Sequence, residues 1–386
     1  VYFALTEQQQ RIQAQVRAFA RREIMPHADE IDQRLEVPAD IYRKMADAQL
    51  MGLPFSEEYG GVGADTISMA LAMEELAYAD GSVTLAYTAH IGLGCAPIYM
   101  FGTEAQKQRF LKPAARGDYL ASFGLTEPHS GSDAGSIRTI AVLDGDEWVI
   151  NGEKFWITNA PLAGHIIVAA LTDPDQGRRG ISMIIVPRGT PGLSTGPQIR
   201  KMGLRGAQST AVYFKDVRVP AENLLGERGR GYPMFLQTLD GGRITIGAMA
   251  IGIAQAAYDQ ALQYAQERKT FDRPIGAYQS VSNMLADMAV GLEASRLMVY
   301  KAAWLKDQGQ PFAKEAAMSK LYSTEASEKI CRDALQIMGG FGYSQDHASV
   351  ERNYRDTRLL TIGEGTSEIQ RMVIARNILG SFAAQL

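Results

Sequence analysis

The chain has 386 residues, 46% of them hydrophobic and 21% charged, with a formal net charge of −4. That length allows two or three domains around a large core, and the near-neutral balance excludes a disordered chain or a general polyanion binder. No apolar run approaches the roughly 18 residues of a membrane-spanning helix, the start VYFALTEQQQ lacks the basic-then-apolar order of a signal peptide, and Cys95 and Cys331 make neither a disulfide framework nor a metal site.

The first third predicts helices joined by glycine-rich turns. Thr6 with Gln9, and Thr103 with Gln106, have the spacing of a capping box. Ile12, Val16, Phe19 and Ala20 keep an apolar face at helical period, as do Ile67 and Leu71 with Ala70, Met73, Leu76 and Ala77. The cluster YGGVGAD, with Gly60, Gly61 and Gly63, follows no hydrophobic strand, so it predicts a loop and not a nucleotide-binding turn.

From about Tyr119 the period changes. WVINGEKFWITNA, HIIVAALTD, GISMIIVPR and TAVYFKDVRVP are short β-branched and aromatic runs separated by Asp-Gly, Asn-Gly, Pro and Gly turns. LDGDEWVINGEKFW predicts a hairpin with Asn151 and Gly152 at its tip. Strands joined without long intervening helices point to an antiparallel barrel or sandwich and away from a dinucleotide-binding βαβ unit. After GERGRGY, long helices are predicted over 233–266, 279–307 and 312–338, with a last one after Thr366, which suffices for a four-helix bundle. The expected chain is therefore α+β and multidomain: an all-α domain over 1–118, a middle antiparallel β domain over 119–228 and a C-terminal four-helix bundle over 229–386.

Five segments carry chemistry. TIGEGTSEIQR puts one carboxylate, Glu364, between Gly363 and Gly365, where missing Cβ atoms let backbone or ligand approach closely. Thr366 and Ser367 are natural N-caps for the helix that follows, whose free amides favour an anion such as a phosphate. FGLTEPHSGSD supplies turn formers and hydroxyls, among them Thr126, Ser130 and Ser132, at a strand end. Trp156 and Thr158 place an indole and a hydroxyl on one strand face, which suits a flat heteroaromatic ring. Arg268 in ERKTF lies where one long helix stops, and QIMGG ends another. Taken singly, these are a glycine-flanked turn, a polar loop, a core tryptophan, a solvated arginine and a glycine cap.

Together and in this order, LTEPHSGSD, FWITNA, LDGGR, ERKTF, QIMGGFGY and EGTSEIQR resemble the acyl-CoA dehydrogenase family of FAD flavoproteins, in particular its short- and branched-chain members, over nearly the whole chain. The resemblance implies that Phe123, Leu125, Thr126, Gly131 and Ser132 hold the isoalloxazine edge, with Ser132 also meeting the acyl-CoA, and that Trp156, Ile157 and Thr158 line the flavin. Arg268, Phe271 and Gln279 would reach the FAD of a neighbouring subunit, the arginine at its diphosphate. Gln336, Ile337, Gly339 and Gly340 would contact the adenosine half, Thr366, Ser367 and Glu368 a phosphate, and Asp240 and Arg243 the CoA. Glu364 would be the catalytic base and Gly365 a substrate contact.

The implied reaction is removal of the thioester α proton by Glu364 as the β hydrogen leaves as hydride to flavin N5, giving a trans-2-enoyl-CoA. The Glu364 amide and a ribityl hydroxyl would form the oxyanion hole, and burial under the acyl chain would raise the glutamate pKa. Electrons would pass to electron-transfer flavoprotein. The assembly would be a homotetramer sharing FAD sites, in the cytoplasm of a bacterium or the mitochondrial matrix of a eukaryote.

Two departures sharpen this expectation. Gly242 occupies the position where some relatives carry the base, which leaves Glu364 alone in that role. Gly363 replaces a larger residue found in many members and predicts room for a branched or bulky acyl group. An acyl-CoA oxidase would share the base, but its eukaryotic forms are longer and end in a peroxisomal address, unlike FAAQL. A DNA-binding member would need a basic C-terminal surface, whereas from Gly231 on there are 16 Lys plus Arg and 16 Asp plus Glu.

Overall fold

The computed structural model describes residues 4–347 and 349–380; the first three residues and the FAAQL terminus lie outside them. Eight helices come first: α1 (Glu7–Phe19), α2 (Ala28–Arg34), α3 (Ala39–Asp47), α4 (Thr66–Ala79), α5 (Gly81–Thr88), α6 (Ala96–Phe101), α7 (Glu104–Gln106) and α8 (Lys112–Arg116). Both anticipated capping boxes form, Thr6 with Gln9 ahead of α1 and Thr103 with Gln106 ahead of α7. The glycine cluster after Tyr59 is a loop, and Asp65 at its end caps α4 by accepting from the Ser68 amide at 2.7 Å. Helix α4 is buried on nearly every side, so the single apolar face read from the sequence understates it. Its two buried acids are matched by neighbours: Arg296 Nε donates to Glu74 at 2.8 Å and Arg17 Nε to Glu75 at 3.0 Å.

The β domain contains β1 (Leu120–Gly124), β2 (Ile140–Asp144), β3 (Glu147–Thr158), β4 (Ala163–Leu171), β5 (Ile181–Pro187), β6 (Leu193–Thr195), β7 (Ser209–Pro220) and β8 (Leu224–Leu225). They form one sheet in the order β6-β7-β3-β2-β4-β5-β8, with β1 alongside β4. Pairing is antiparallel except that β1 and the start of β2 run parallel to β4, a departure from the all-antiparallel expectation. The hairpin tip is also corrected. Asp144 pairs with Glu147, so Gly145 and Asp146 make the turn, while Asn151 lies inside β3 opposite Ile140. Both Asp-Gly and Asn-Gly are hairpin signals, and packing decides between them: this register sets Ala141 opposite Ile150 and Trp148 on the same inner face. Gly152 instead serves a register shift, with φ +144° and room for a Cβ removed by Thr139 Cα at 2.7 Å.

Strands β4 and β5 are buried on both faces, which explains their unbroken hydrophobic runs. Ile166, Val168 and Ala170 enter a core enclosed by the sheet, whereas Ile167 and Ala169 join a larger core with the helices. That larger core runs from Ile12 to Leu360 and is common to N-terminal and C-terminal helices. His90 pins the seam between helices and sheet. Its Nδ1 accepts from the Ala121 amide at 2.9 Å, so Nε2 carries the proton and donates to the Met51 carbonyl at 3.1 Å. Burial pushes its pKa down to about 4 and keeps the ring neutral.

The C-terminal bundle comprises α9 (Gly231–Glu267), α10 (Gln279–Asp307), α11 (Ala313–Tyr343), α12 (Val350–Thr357) and α13 (Ser367–Leu379). A small hairpin, β9 (Lys269–Thr270) and β10 (Arg273–Pro274), joins α9 to α10. Helix α11 passes the expected stop: Gly339 breaks it at φ +56°, and a further turn follows to Tyr343. Helix α12 was not anticipated because VERNYRDT has no apolar stripe. Its inner side is polar and paired, Arg355 donating to Asp32 at 2.8 Å and Asp356 accepting from the Leu204 amide at 2.5 Å.

Candidate active site

Helix α12 and the turn after it deliver Thr361–Arg371 across the bundle. Glu364 adopts φ +52°, and Gly365 follows at +93°, so two consecutive residues hold left-handed backbone. For a non-glycine residue this costs on the order of 1 kcal/mol and needs outside support. Support comes from two buried side chains. Gln370 Nε2 donates to the Gly365 and Glu364 carbonyls at 2.9 and 3.3 Å, and Lys320 Nζ on α11 donates to the Gly365 carbonyl at 2.8 Å. Thr366 caps α13 by accepting from the Ile369 amide at 3.3 Å.

The Glu364 carboxylate points at α9. A Cβ on Gly242 would lie 2.2 Å from Glu364 Oε2, so the DGGR and EGTSE segments, far apart in sequence, meet here. Oε2 is buried without a hydrogen-bond partner. Burial pushes the Glu364 pKa up to about 7, with the Lys320 and Arg243 cations pulling the other way. Arg243 is itself buried and paired with Asp240, and its Nε has no partner. The Ser367 hydroxyl and Gln370 Oε1 are likewise buried and unpartnered, and among the described residues the Glu364 amide has no acceptor.

The other anticipated residues fall into two groups. In the β domain, Phe123 is buried at the end of β1, Leu125 and Thr126 are half-buried, and Gly131 and Ser132 are exposed. Trp156 does not continue a regular strand face as expected. It sits at a register shift with φ +63° and is 52% exposed, while Ile157 turns into the core enclosed by the sheet and Thr158 Oγ1 lies 3.2 Å from Ser209 Oγ. Ser130 donates to the Asp133 carbonyl at 2.8 Å and so spends its hydroxyl within the loop. At the far end of α9 and α11, Arg268, Ile337, Gly339 and Gly340 line one cavity of about 570 Å³. Phe271, 88% exposed at the hairpin tip, and Gln279 at the start of α10 lie outside its lining.

Sequence reasoning passed over two features. Lys320 is fully buried, and the signal for it was its phase with Ala316, Ala317 and Thr324 on the inner stripe of α11. Glu127 and Lys154 form a buried pair at 2.7 Å, and Lys154 also donates to the Leu125 carbonyl at 3.1 Å. Thr139 and the Arg138 amide complete the carboxylate shell at 2.6 Å each. Burial works to raise the Glu127 pKa, but Lys154 and these donors outweigh it and hold it low. The pair ties the 123–133 loop to β3 just before Trp156. Lys154→Met should therefore cost on the order of 3 kcal/mol, read as a lower denaturation midpoint at pH 7.

Comparison with known proteins decides the family. The model of the acyl-CoA dehydrogenase N-terminal domain matches residues 6–118, that of the middle domain 122–217 and that of the C-terminal domain 229–379. The chain belongs to the acyl-CoA dehydrogenase family. It is 53% identical to a probable acyl-CoA dehydrogenase, YngJ, of Bacillus subtilis, over 98% of this chain and 99% of that one. Among solved structures it is similar to butyryl-CoA dehydrogenase from Megasphaera elsdenii, with 40% identity, TM-score 0.96 and coverage of 98% and 100%. It is also similar to a chain in a structure described as the electron transferring flavoprotein of Acidaminococcus fermentans, with 42% identity, TM-score 0.97 and coverage of 99% and 100%.

Members of the acyl-CoA dehydrogenase family carry FAD, and the residues present fit such a group. An exposed indole on a left-handed bulge offers a flat face, the loop at Gly131 has nothing within 4 Å of a built Cβ, and the cavity beside Arg268 matches a dinucleotide half in size and charge. The buried, unpartnered Ser367 hydroxyl at the start of α13 suits a phosphate oxygen. Among the described residues, no cluster of His, Cys, Asp or Glu could hold a metal ion, and no helix is long and apolar enough to cross a membrane.

Proposed function

We propose that the protein dehydrogenates a short acyl-CoA to its trans-2-enoyl thioester, with Glu364 as the base. The observation that carries this reading is the Glu364 carboxylate: buried at Oε2, unpartnered, set over Gly242 and titrating near neutrality. A carboxylate freed of water and of hydrogen bonds is a stronger base than one in solution. The Glu364 amide donates to the thioester oxygen, where negative charge grows as the α proton leaves. Arg243 and Asp240 hold the CoA side, and Lys320 and Gln370 keep the base-bearing peptide in its left-handed form. Bound FAD supplies the acceptor for the β hydride. Phe123, Leu125, Thr126, Gly131, Ser132, Trp156, Ile157 and Thr158 orient its ring system, and Thr366, Ser367 and Glu368 receive a phosphate.

Arg268, Phe271, Gln279, Gln336, Ile337, Gly339 and Gly340 would complete the FAD site of a second subunit in a homotetramer. This rests on their position, since the cavity beside Arg268 is lined by none of the ring-side residues and Phe271 projects into solvent at φ +46°. The short-chain preference rests on the similarity to butyryl-CoA dehydrogenase, and the electron-transfer flavoprotein as acceptor on the Acidaminococcus structure. At Gly363 a larger side chain would pack on Leu359 at 3.6–3.9 Å, so its absence leaves room for branching there. The compartment would be bacterial cytoplasm or mitochondrial matrix.

An anaerobic titration with straight short, straight medium, branched and dicarboxylic acyl-CoAs, following flavin absorbance, tests the reading. Prompt bleaching by short or branched chains is the expected outcome, with a rate that rises with pH through about 7 as Glu364 ionises. Bleaching by none of them, with FAD bound, would reject it.

A further inference from the structure

We propose that Lys320 is a positioning residue for this reaction: its buried ammonium holds the Glu364–Gly365 peptide and supplies the positive charge that keeps the Glu364 carboxylate ionised. The inference rests on the reading of Glu364 as the base. Lys320 is fully buried on α11, and among the described residues the one hydrogen bond of its ammonium, at 2.8 Å, goes to the Gly365 carbonyl. A lysine without solvent and without a carboxylate partner within salt-bridge distance is costly to bury, so its retention needs a use.

The surroundings indicate that use. The charged groups facing Lys320 are Glu364 from the loop, Arg243 from α9, Glu325 from its own helix and Glu368 from α13. Those facing Glu364 are Lys320 and Arg243, while Lys306 of α10 ends on the neighbouring side of α9, 3.4 Å from a Cβ built at Gly241. Arg243 is already committed to Asp240. Both cations act on the base, and Lys320, which has no carboxylate partner of its own among the described residues, has the larger influence. Burial pushes its own pKa down to about 8, above the value of about 7 for Glu364, so its charge is largely present where the acidic limb begins. Gln370 also holds the Gly365 carbonyl, at 2.9 Å, so the loop keeps a second anchor when the lysine is replaced. Charge and geometry can therefore be separated by substitution.

The test compares the purified flavoprotein as wild type, Lys320→Met and Lys320→Arg. The Glu364 carboxyl is followed by pH-difference infrared spectroscopy, as the protonated-carboxyl band missing from Glu364→Gln, which requires no substrate. Flavin bleaching by the best acyl-CoA of the panel is measured over the same pH range. In Lys320→Met the infrared midpoint and the acidic limb of the rate should both rise by about one pH unit, a roughly tenfold loss of rate below the limb. Lys320→Arg should restore both toward wild type. An unmoved midpoint in Lys320→Met, with the rate reduced equally at every pH, overturns the proposal. Should the methionine variant not fold, Lys320→Gln takes its place with the same two outcomes. Failure of every acyl-CoA to bleach the wild type would defeat the dehydrogenase reading, and the infrared midpoint would still decide the role of Lys320.

Discussion

Glu364→Gln is expected to cut flavin reduction by acyl-CoA by a factor on the order of 10⁴, while the yellow cofactor stays bound. The amide keeps the shape of the side chain but cannot accept the α proton. Loss of activity through unfolding is separable from loss of the base, because the two predict opposite changes in stability. Glu364 titrates at about 7 in the folded chain against an ordinary value of 4.5. Between those values the folded state binds more protons than the unfolded one, so this group's contribution to stability falls as pH rises through that window. The glutamine carries no such penalty. At pH 8 the variant should melt no lower than wild type, and a calorimetric scan beside the stopped-flow trace checks both halves. Residual flavin reduction within tenfold of wild type would remove Glu364 from the role of base.

Gly242→Ala should slow the reaction with one methyl group. The added Cβ would stand 2.2 Å from Glu364 Oε2 and 3.2 Å from Cδ. The obstructed atom is the end of a flexible side chain, so the carboxylate can swing away at little cost to the fold. Replacing a glycine deep inside α9 by alanine itself favours the helix by up to about 1 kcal/mol. A base displaced by an ångström, however, loses about 10²-fold in rate. The expected variant is thus as stable as wild type or more so, binds acyl-CoA, and reduces its flavin about a hundred times more slowly. Equal rates in the two proteins would mean that Glu364 works from a different rotamer.

How far the sequence discloses this site depends on the kind of signal each residue leaves. Glu364 was legible because glycines on both sides and a capped helix behind it are local features. Gly242 was legible only through the family resemblance, and its physical meaning, space for a carboxylate 122 positions later, required the packing of α9 against the loop. Lys320 and the Glu127–Lys154 pair went unread because a charged residue in an inner stripe looks like a phase error until its partner is seen. Helix α12 was missed for the same reason: its buried side is mostly polar, with Arg352, Asn353, Asp356 and Thr357 beside Val350, and an apolar period does not mark it. The hairpin tip was misplaced because two equivalent turn signals, Asp144-Gly145 and Asn151-Gly152, stand in one short segment, and only the inner face of the sheet discriminates between them.

The two cores described above bear on how such a chain can be inherited in pieces. The sheet packs a core of its own, so recombination that exchanges residues 120–225 between relatives as a block carries that interior intact, but it still has to match the larger core at Leu120, Ile167, Ile185 and Leu204 and the contacts of Ala121 with His90 and of Leu204 with Asp356. Recombination that joins the first eight helices of one relative to the bundle of another cuts through the common core along α4 and α9, and through the Glu74–Arg296 contact. The interior of the middle third can thus travel as a unit, whereas its boundary and the two helical ends have to change together.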